Sequence, residues 1–345
     1  MAAAVIEAIG LISGALGIIQ FGIDNFAEPD SVGSVVKVAV GLDVNGGLNN
    51  AGGDLPDVRL FNEAGGFLGI TADPGSIGSG EAKEITVSHN GDNGQQATYA
   101  LLSANDNAIC IAYASITWPD GNNYAWIGDW GRQCGGSWYY SNYYISGSDV
   151  TPDCFWIDSN GDQPQTGFQI HWPEFVSASG DLPTQPSDKD ALLDRLCNAG
   201  PPFKMYTEKD PRGITFWTKT KRSEEATAEA YAPWKSAPSA KFADNRSGHS
   251  ATVPRQQSLH ANQLVIDNNP NHAADALCGS DTSLGPDFVD LTTSSFCRME
   301  DKTMFPLCSD EITDNCFNTD VQKLIVNGVA TRDSDYGRVL DWTSQ

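Results

Sequence analysis

The side chains best suited to chemistry are few and scattered. Five histidines, His89, His171, His249, His260 and His272, are the groups whose ordinary pKa lies nearest neutrality, and none stands in an H-E-x-x-H metal motif. No G-x-S-x-G, P-loop or G-x-G-x-x-G context occurs, so neither an activated serine nor a phosphate-cradling turn is encoded. Among 44 acidic residues no spacing singles out a catalytic carboxylate pair. The expectation is therefore a protein that is not an enzyme and has no catalytic residues. Eight cysteines (Cys110, Cys134, Cys154, Cys197, Cys278, Cys297, Cys308, Cys316) make an even set without a C-x-x-C pair. That argues for disulfides and an oxidising, extracellular compartment over zinc or thiol redox chemistry, and leaves the pairing open.

Two local patterns suggest binding. Asp158, Asn160 and Asp162 place oxygen side chains at alternate positions around Gly161, as in the first turn of a calcium loop, but without the Glu that completes a twelve-residue loop. The readings are a Ca2+ site, the one cofactor the sequence suggests, or an Asx turn between strands. The second pattern is aromatic. Six of nine tryptophans and six of ten tyrosines fall between Tyr113 and Trp172, concentrated in WPDGNNYAWIGDWG and SWYYSNYY. Such rings fill sandwich cores, and they also sit at membrane interfaces, on sugar-binding faces and at subunit contacts. Four phenols and an indole in eight residues can cage a quaternary ammonium by cation–π attraction or stack on a sugar.

The formal charge of −23 removes nucleic acid and anionic lipid as partners, since both require clustered Lys and Arg. The charge is uneven. Residues 1–177 carry only Lys37, Arg59, Lys83 and Arg132 as bases, whereas the remainder is nearly balanced. One sequon, Asn245-Arg246-Ser247, marks a possible glycosylation site at Asn245.

These residues need elements to hold them. In the N-terminal segment Glu7, Gly10, Gly14, Gly17 and Gln20 recur at three- and four-residue steps opposite Ile6, Ile9, Ile12, Leu16 and Ile19, which predicts an amphipathic helix over 1–26. The helix packs on its own domain or inserts into a membrane interface. From 34 to 176, short apolar stretches alternate with Gly, Asn and Asp turns, which predicts an antiparallel β-sandwich. KVAVGLDV alternates as if one of its faces were wet. SASGDLPTQPSD reads as a linker, followed by a short helix at ALLDRLC and a strand at GITFWTKT. Residues 188–345 then read as a cysteine-rich, irregular or α+β domain stabilised by disulfides, with a loop over 223–257. The dibasic Lys221-Arg222 beside that loop is a candidate processing site.

With these residues in view, the first 175 positions resemble the actinoporins and their relatives, the actinoporin-like proteins and fungal fruit-body lectins. VVKVAVGLDVNGG is similar to the family's early strand, and Tyr139, Tyr143 and Tyr144 reproduce its Y-x-x-x-Y-Y spacing. Ser115 and Pro119 match its serine and proline with two extra residues between them; Tyr124, Trp126 and Trp130 match its loop rings in kind. The resemblance implies a secreted protein that binds phosphocholine headgroups through Ser115, Pro119, Tyr124, Trp126, Trp130, Tyr139, Tyr143 and Tyr144, inserts its N-terminal helix, and forms pores as a homo-oligomer. Two other functions fit the same rings: a lectin-like glycan-binding protein, and a structural protein whose aromatic face meets another subunit.

Overall fold

The computed structural model describes residues 8–14, 16–41, 51–91, 94–177, 182–219, 225–231, 260–331 and 335–343. The chain divides into two units, Met1–Val44 with Asn49–Ser247, and Asn45–Leu48 with Gly248–Gln345. The first is built on two antiparallel sheets. One runs Trp138–Tyr140, Asp153–Ile157, Ile109–Thr117, Gly33–Val40, Ala82–Ser88, with Asn123–Ile127 hairpinned onto Ile109–Thr117. The other runs Phe203–Tyr206, Gly167–His171, Tyr99–Ser103, Asp57–Phe61, Phe67–Thr71. Period-two alternation sends Ala114, Ile116, Trp126 and Phe155 of the first sheet, and Leu60, Leu102, Phe168 and Phe203 of the second, into a shared core. The Trp126 ring lies 4.9 Å from Phe168 and 5.6 Å from Phe203, which joins the layers. Each leucine, isoleucine and phenylalanine among them contributes about 1.5–3 kcal/mol of burial.

Over their inner strands both sheets are covered on their outer faces as well, which corrects the expectation of a wet face in 37–41; the edge strand Ala82–Ser88 still exposes Glu84, Thr86 and Ser88. In Gly33–Val40 every residue except Lys37 is buried. On the same sheet Ser115 Oγ donates to the Asn25 carbonyl (2.9 Å), Thr117 Oγ1 donates to that of Ala27 (2.8 Å), and Tyr113 meets Phe21 edge-on at 5.1 Å. The covering segment comes from the chain's own N-terminal region, whose described residues, from Ala8 on, do not form the expected amphipathic helix. Ala8–Ile12 and Ile18–Gly22 form an antiparallel hairpin, and the first helix among the described residues longer than a single 3-10 turn begins at Asp129. The glycine spacing that mimics a helical face serves close approach instead. A Cβ on Gly10 would lie 2.5 Å from the Ser177 carbonyl, and one on Gly22 2.4 Å from that of Ser146. β-Branched Ile9, Ile12, Ile18 and Ile19 favour the extended form once partners exist. Leu11, Ile12, Leu16 and Phe21 are core residues.

The second sheet's outer face carries Arg59, Phe61, Tyr99, Leu101, Gln169 and His171. It is covered by a hairpin, Gly213–Lys219 paired with Glu225–Tyr231, whose Ile214 joins Phe61, Tyr99, Leu101 and Tyr206 in a second apolar cluster. The domain boundary at 188 is thereby corrected. The helix Pro186–Asn198, the edge strand Phe203–Tyr206 and this hairpin all belong to the first unit: Leu196 of the helix joins the main core, the strand extends the sheet beside Gly167–His171, and the hairpin shields the sheet's apolar outer face. Part of the expected loop, 225–231, is strand; the rest of it, the Lys221-Arg222 pair and Asn245 lie outside the described residues. Cys110–Cys154 and Cys134–Cys197 are the first unit's disulfides.

The second unit holds a five-stranded mixed sheet ordered Thr303–Pro306, Ser295–Arg298, Asp287–Asp290, Gln263–Asp267, Arg338–Asp341, and a three-stranded sheet over Cys316–Ala330. Gln263–Asp267 runs parallel to both neighbours, and the crossover to Asp287–Asp290 carries the short helix Ala274–Cys278. Each of the three parallel strands ends in an aspartate that accepts the amide hydrogen two residues on: Asp267 from Asn269, Asp290 from Thr292, Asp341 from Thr343 (2.8–2.9 Å). These Asx turns engage one oxygen of each carboxylate internally. Cys278–Cys297 and Cys308–Cys316 complete the disulfides. Among the described residues, no helix is long and apolar enough to cross a membrane.

Candidate functional site

The rings that carry the family resemblance do not assemble into one cage. Trp126 is enclosed between the sheets, and Trp130 is equally buried, with its Nε1 donating to the Ile12 carbonyl at 2.9 Å. Tyr139 lies on the edge strand Trp138–Tyr140, where it faces Cys154 across the ladder and is fully enclosed. Ser115 is sealed beneath the N-terminal segment by its bond to Asn25. Pro119 and Tyr124 are half-buried near the Trp118 turn, where Tyr124 packs at 4.6 Å on the Trp118 ring. Tyr143 leans on Tyr113 at 5.6 Å, and Tyr144 alone is exposed, at 44 %. The physical reason is the covered outer face: a sheet buried on both sides needs large rings on both, and tyrosines reach hydrogen-bond partners from inside. Burial, and after it the neighbouring Tyr143, raise the pKa of Tyr113, so its hydroxyl stays neutral.

The Asp158–Asp162 stretch is a closed turn. Asp158 Oδ2 accepts the amide hydrogens of Asn160 (3.1 Å) and Asp162 (2.7 Å), Asn160 Oδ1 also accepts from Asp162, and Asn160 Nδ2 donates to the Asp106 carbonyl. Burial raises the Asp158 pKa to about 6 against these donors. Among the described residues no group of three or more His, Cys, Asp or Glu side chains is placed to hold a metal.

The cavity with the makings of a ligand site is in the second unit. It has a volume of about 500 Å3, within the range of small-ligand sites. Part of its lining is aromatic. Phe296 and Phe317 stack at 4.0 Å with their planes 15° apart, and Tyr336 meets Phe317 edge-on. The same cavity is lined by the polar side chains of Asp287, Arg298, Glu300 and Asn262, with Asp287 and Arg298 on the sheet face that carries Phe296. Strand alternation sets this up: Phe296 and Arg298 point one way from Ser295–Arg298, while Cys297 between them points the other and is tied to the helix Ala274–Cys278. Phe317 follows Cys316, which is tied to Cys308. Two disulfides thus anchor the two strands that supply the stacked rings.

The polar lining is ordered by its own bonds. Asp287 Oδ1 accepts the Met299 amide hydrogen (2.8 Å), and its Oδ2 accepts the Tyr336 hydroxyl hydrogen (2.7 Å). Arg298 donates from Nε and Nη2 to Asp301 (2.9 and 2.6 Å). His260, also in the lining, is kept neutral by burial, which lowers its pKa to about 4. A fixed carboxylate, a fixed guanidinium and stacked rings can orient a polar ring. Sequence reasoning missed this site. The signal available was the pairing of Phe296 with Arg298 around a cysteine, which a strand makes one-faced, but its partners Phe317 and Tyr336 are brought in by long-range pairing. No protein-family model matches the chain, and no curated protein is similar to it.

Proposed function

We propose that this is an extracellular binding protein whose second unit takes a short glycan in the cavity lined by the rings of Phe296, Phe317 and Tyr336 and by Asp287, Arg298 and Glu300. The observation that carries the reading is that juxtaposition of aromatic rings with fixed hydrogen-bonding groups of both polarities. A pyranose offers an apolar C–H face to a ring and hydroxyls that both donate and accept, so it suits a carboxylate and a guanidinium together. Four disulfides suit an oxidising compartment, which supports the extracellular assignment. Headgroup recognition with membrane insertion draws less support, since the N-terminal hairpin contributes Leu11, Ile12, Leu16 and Phe21 to the core and would have to leave it.

The test is a glycan array probed with the whole chain, followed by calorimetry on the best glycan with Arg298→Ala and Glu300→Ala. Binding should fall about tenfold or more in Arg298→Ala, since a lost charge-assisted hydrogen bond is worth about 1.5–3 kcal/mol. An array without binding, or binding unaffected by both substitutions, counts against the cavity. Leakage of phosphatidylcholine or sphingomyelin vesicles by the intact chain would favour the membrane role over the glycan one.

A further inference from the structure

The first unit contains a second ordered polar cluster, on the outer face of the sheet that the Gly213–Tyr231 hairpin covers. At its centre is His171, 6 % exposed, with its ring stacked on that of Tyr99 at 4.1 Å and 14°. Nδ1 lies 2.9 Å from Glu174 Oε1, and Nε2 lies 2.9 Å from Glu63 Oε2. Ionised carboxylates only accept hydrogen bonds, so both nitrogens donate only if the ring carries two protons. The geometry is therefore that of an imidazolium.

The same carboxylates hold the hairpin. Glu174 Oε1 also accepts from Trp217 Nε1 (2.6 Å), and the Trp217 backbone amide donates to the Tyr99 hydroxyl (3.1 Å). Arg195, from the helix Pro186–Asn198, donates to Glu174 Oε2 and sits 5.0 Å over the Trp217 ring. Glu63 belongs to the turn Asn62–Gly66. Gly65 of that turn, at φ +74°, has no side chain where the Phe216 ring of the hairpin packs, and a Cβ there would lie 2.5 Å from it. His171 is thus the bridge between the turn that seats Phe216 and the glutamate that seats Trp217. The charged and titratable groups facing it are Glu63 from the turn, Glu174 from the 3-10 segment Trp172–Phe175, Arg195 beyond Glu174, and Tyr99 from the adjacent strand.

We propose that His171 makes the docking of this hairpin pH-dependent: seated while the imidazolium holds Glu63 and Glu174, and loosened at the Phe216–Trp217 end when the proton leaves. Once neutral, the ring can donate to only one carboxylate. One of the ring's two ties, to the turn that seats Phe216 or to the glutamate that seats Trp217, is then lost, and Glu63, whose side chain is 59 % exposed against 11 % for Glu174, is the partner that water competes for more readily. The direction of the titration agrees. Burial, the largest influence, opposes the charge, yet Glu174 and Glu63 outweigh it and leave the pKa above its ordinary value. A histidine raised in this way contributes fully below the unfolded value of about 6.5 and loses its contribution as pH rises through the folded value. Acid therefore favours the seated state. The carboxamide of Gln169 stays bonded to the Thr215 backbone at any pH, so the hairpin loosens at one end without detaching.

The experiment is a pH series on the intact chain that follows the His171 ring by NMR and the Trp217 amide by hydrogen exchange, corrected for intrinsic rates. The ring should titrate above about 6.5, and Trp217 protection should fall severalfold as pH passes that midpoint. Glu63→Gln, at an exposed position and with little risk to folding, should lower the His171 midpoint and shift the protection change with it. His171→Asn should abolish the pH dependence. A ring that titrates at or below about 6.5, or protection that does not follow its midpoint, overturns the proposal.

Discussion

Arg59 shows how much a single charge can do in a chain so short of bases. It is 1 % exposed on the covered face of the second sheet; Nη1 donates to Ser103 Oγ (2.8 Å), and Nη2 donates to Asp210 Oδ1 (2.9 Å) with Asp57 nearby. Ser103 Oγ in turn donates to the Pro211 carbonyl, so strand and loop are joined through one guanidinium. Arg59→Met should cost about 3 kcal/mol, because it leaves polar partners without their donor while Arg212 still holds Asp210. Arg59→Lys should recover little of this, since one ammonium cannot fork to both partners. Denaturant titration of both variants checks it; a loss under about 1 kcal/mol would show that water replaces the guanidinium easily. At this scale the sequence is partly legible. A lone arginine inside an alternating strand announces a buried partner, but Asp210 is too distant in sequence to name. The aromatic run 137–144 is read as a surface because phenols suit surfaces; a sheet covered on both sides has room and partners for them inside.

Among elements, those whose pattern is local are legible. The strands at 57–61, 82–88, 99–103, 109–117 and 167–171 follow from alternation and Gly/Asn punctuation, and the helix Pro186–Asn198 contains the expected ALLDRLC segment. The N-terminal hairpin is not legible, because apolar residues at mixed three- and four-residue steps satisfy a helix when nothing says that Ser177 and Ser146 will approach Gly10 and Gly22. The domain boundary fails for a related reason: Phe203–Tyr206 is strand only because Gly167–His171 lies beside it. Helix Pro186–Asn198 is fastened by Cys134–Cys197, which spans 63 residues. In the chain-entropy account a loop of that size is worth about 4 kcal/mol. Replacing both cysteines with serine should lower the first unit's stability by roughly that amount. Because Arg195 rides on this helix, it should also weaken protection at Trp217. Calorimetry and hydrogen exchange on the double variant read both effects, and unchanged exchange at Trp217 would separate the helix from the hairpin's seat.

At the level of the whole molecule, all four disulfides close within a unit and none joins the two. Each unit also has its own apolar cluster. Residues 260–345 made alone should therefore oxidise to Cys278–Cys297 and Cys308–Cys316 and unfold in one cooperative transition. Peptide mapping and a thermal scan decide this; scrambled pairing would mean that the first unit is required as a template.

The edge strand Arg338–Asp341 has a consequence for the order of events during synthesis. It pairs with Gln263–Asp267, made far earlier, whereas Cys278–Cys297 and Cys308–Cys316 are separated by only 19 and 8 residues. Local contacts close before distant ones, so both cross-links are free to form while the growing chain still lacks its last strand. Tyr336, which completes the aromatic wall and is oriented by Asp287, emerges from the ribosome immediately ahead of that strand. A nascent polypeptide that stalls before Tyr336 would be free to form both cross-links yet would lack part of the cavity's lining, so for this unit correct cross-linking is no report of a finished cavity.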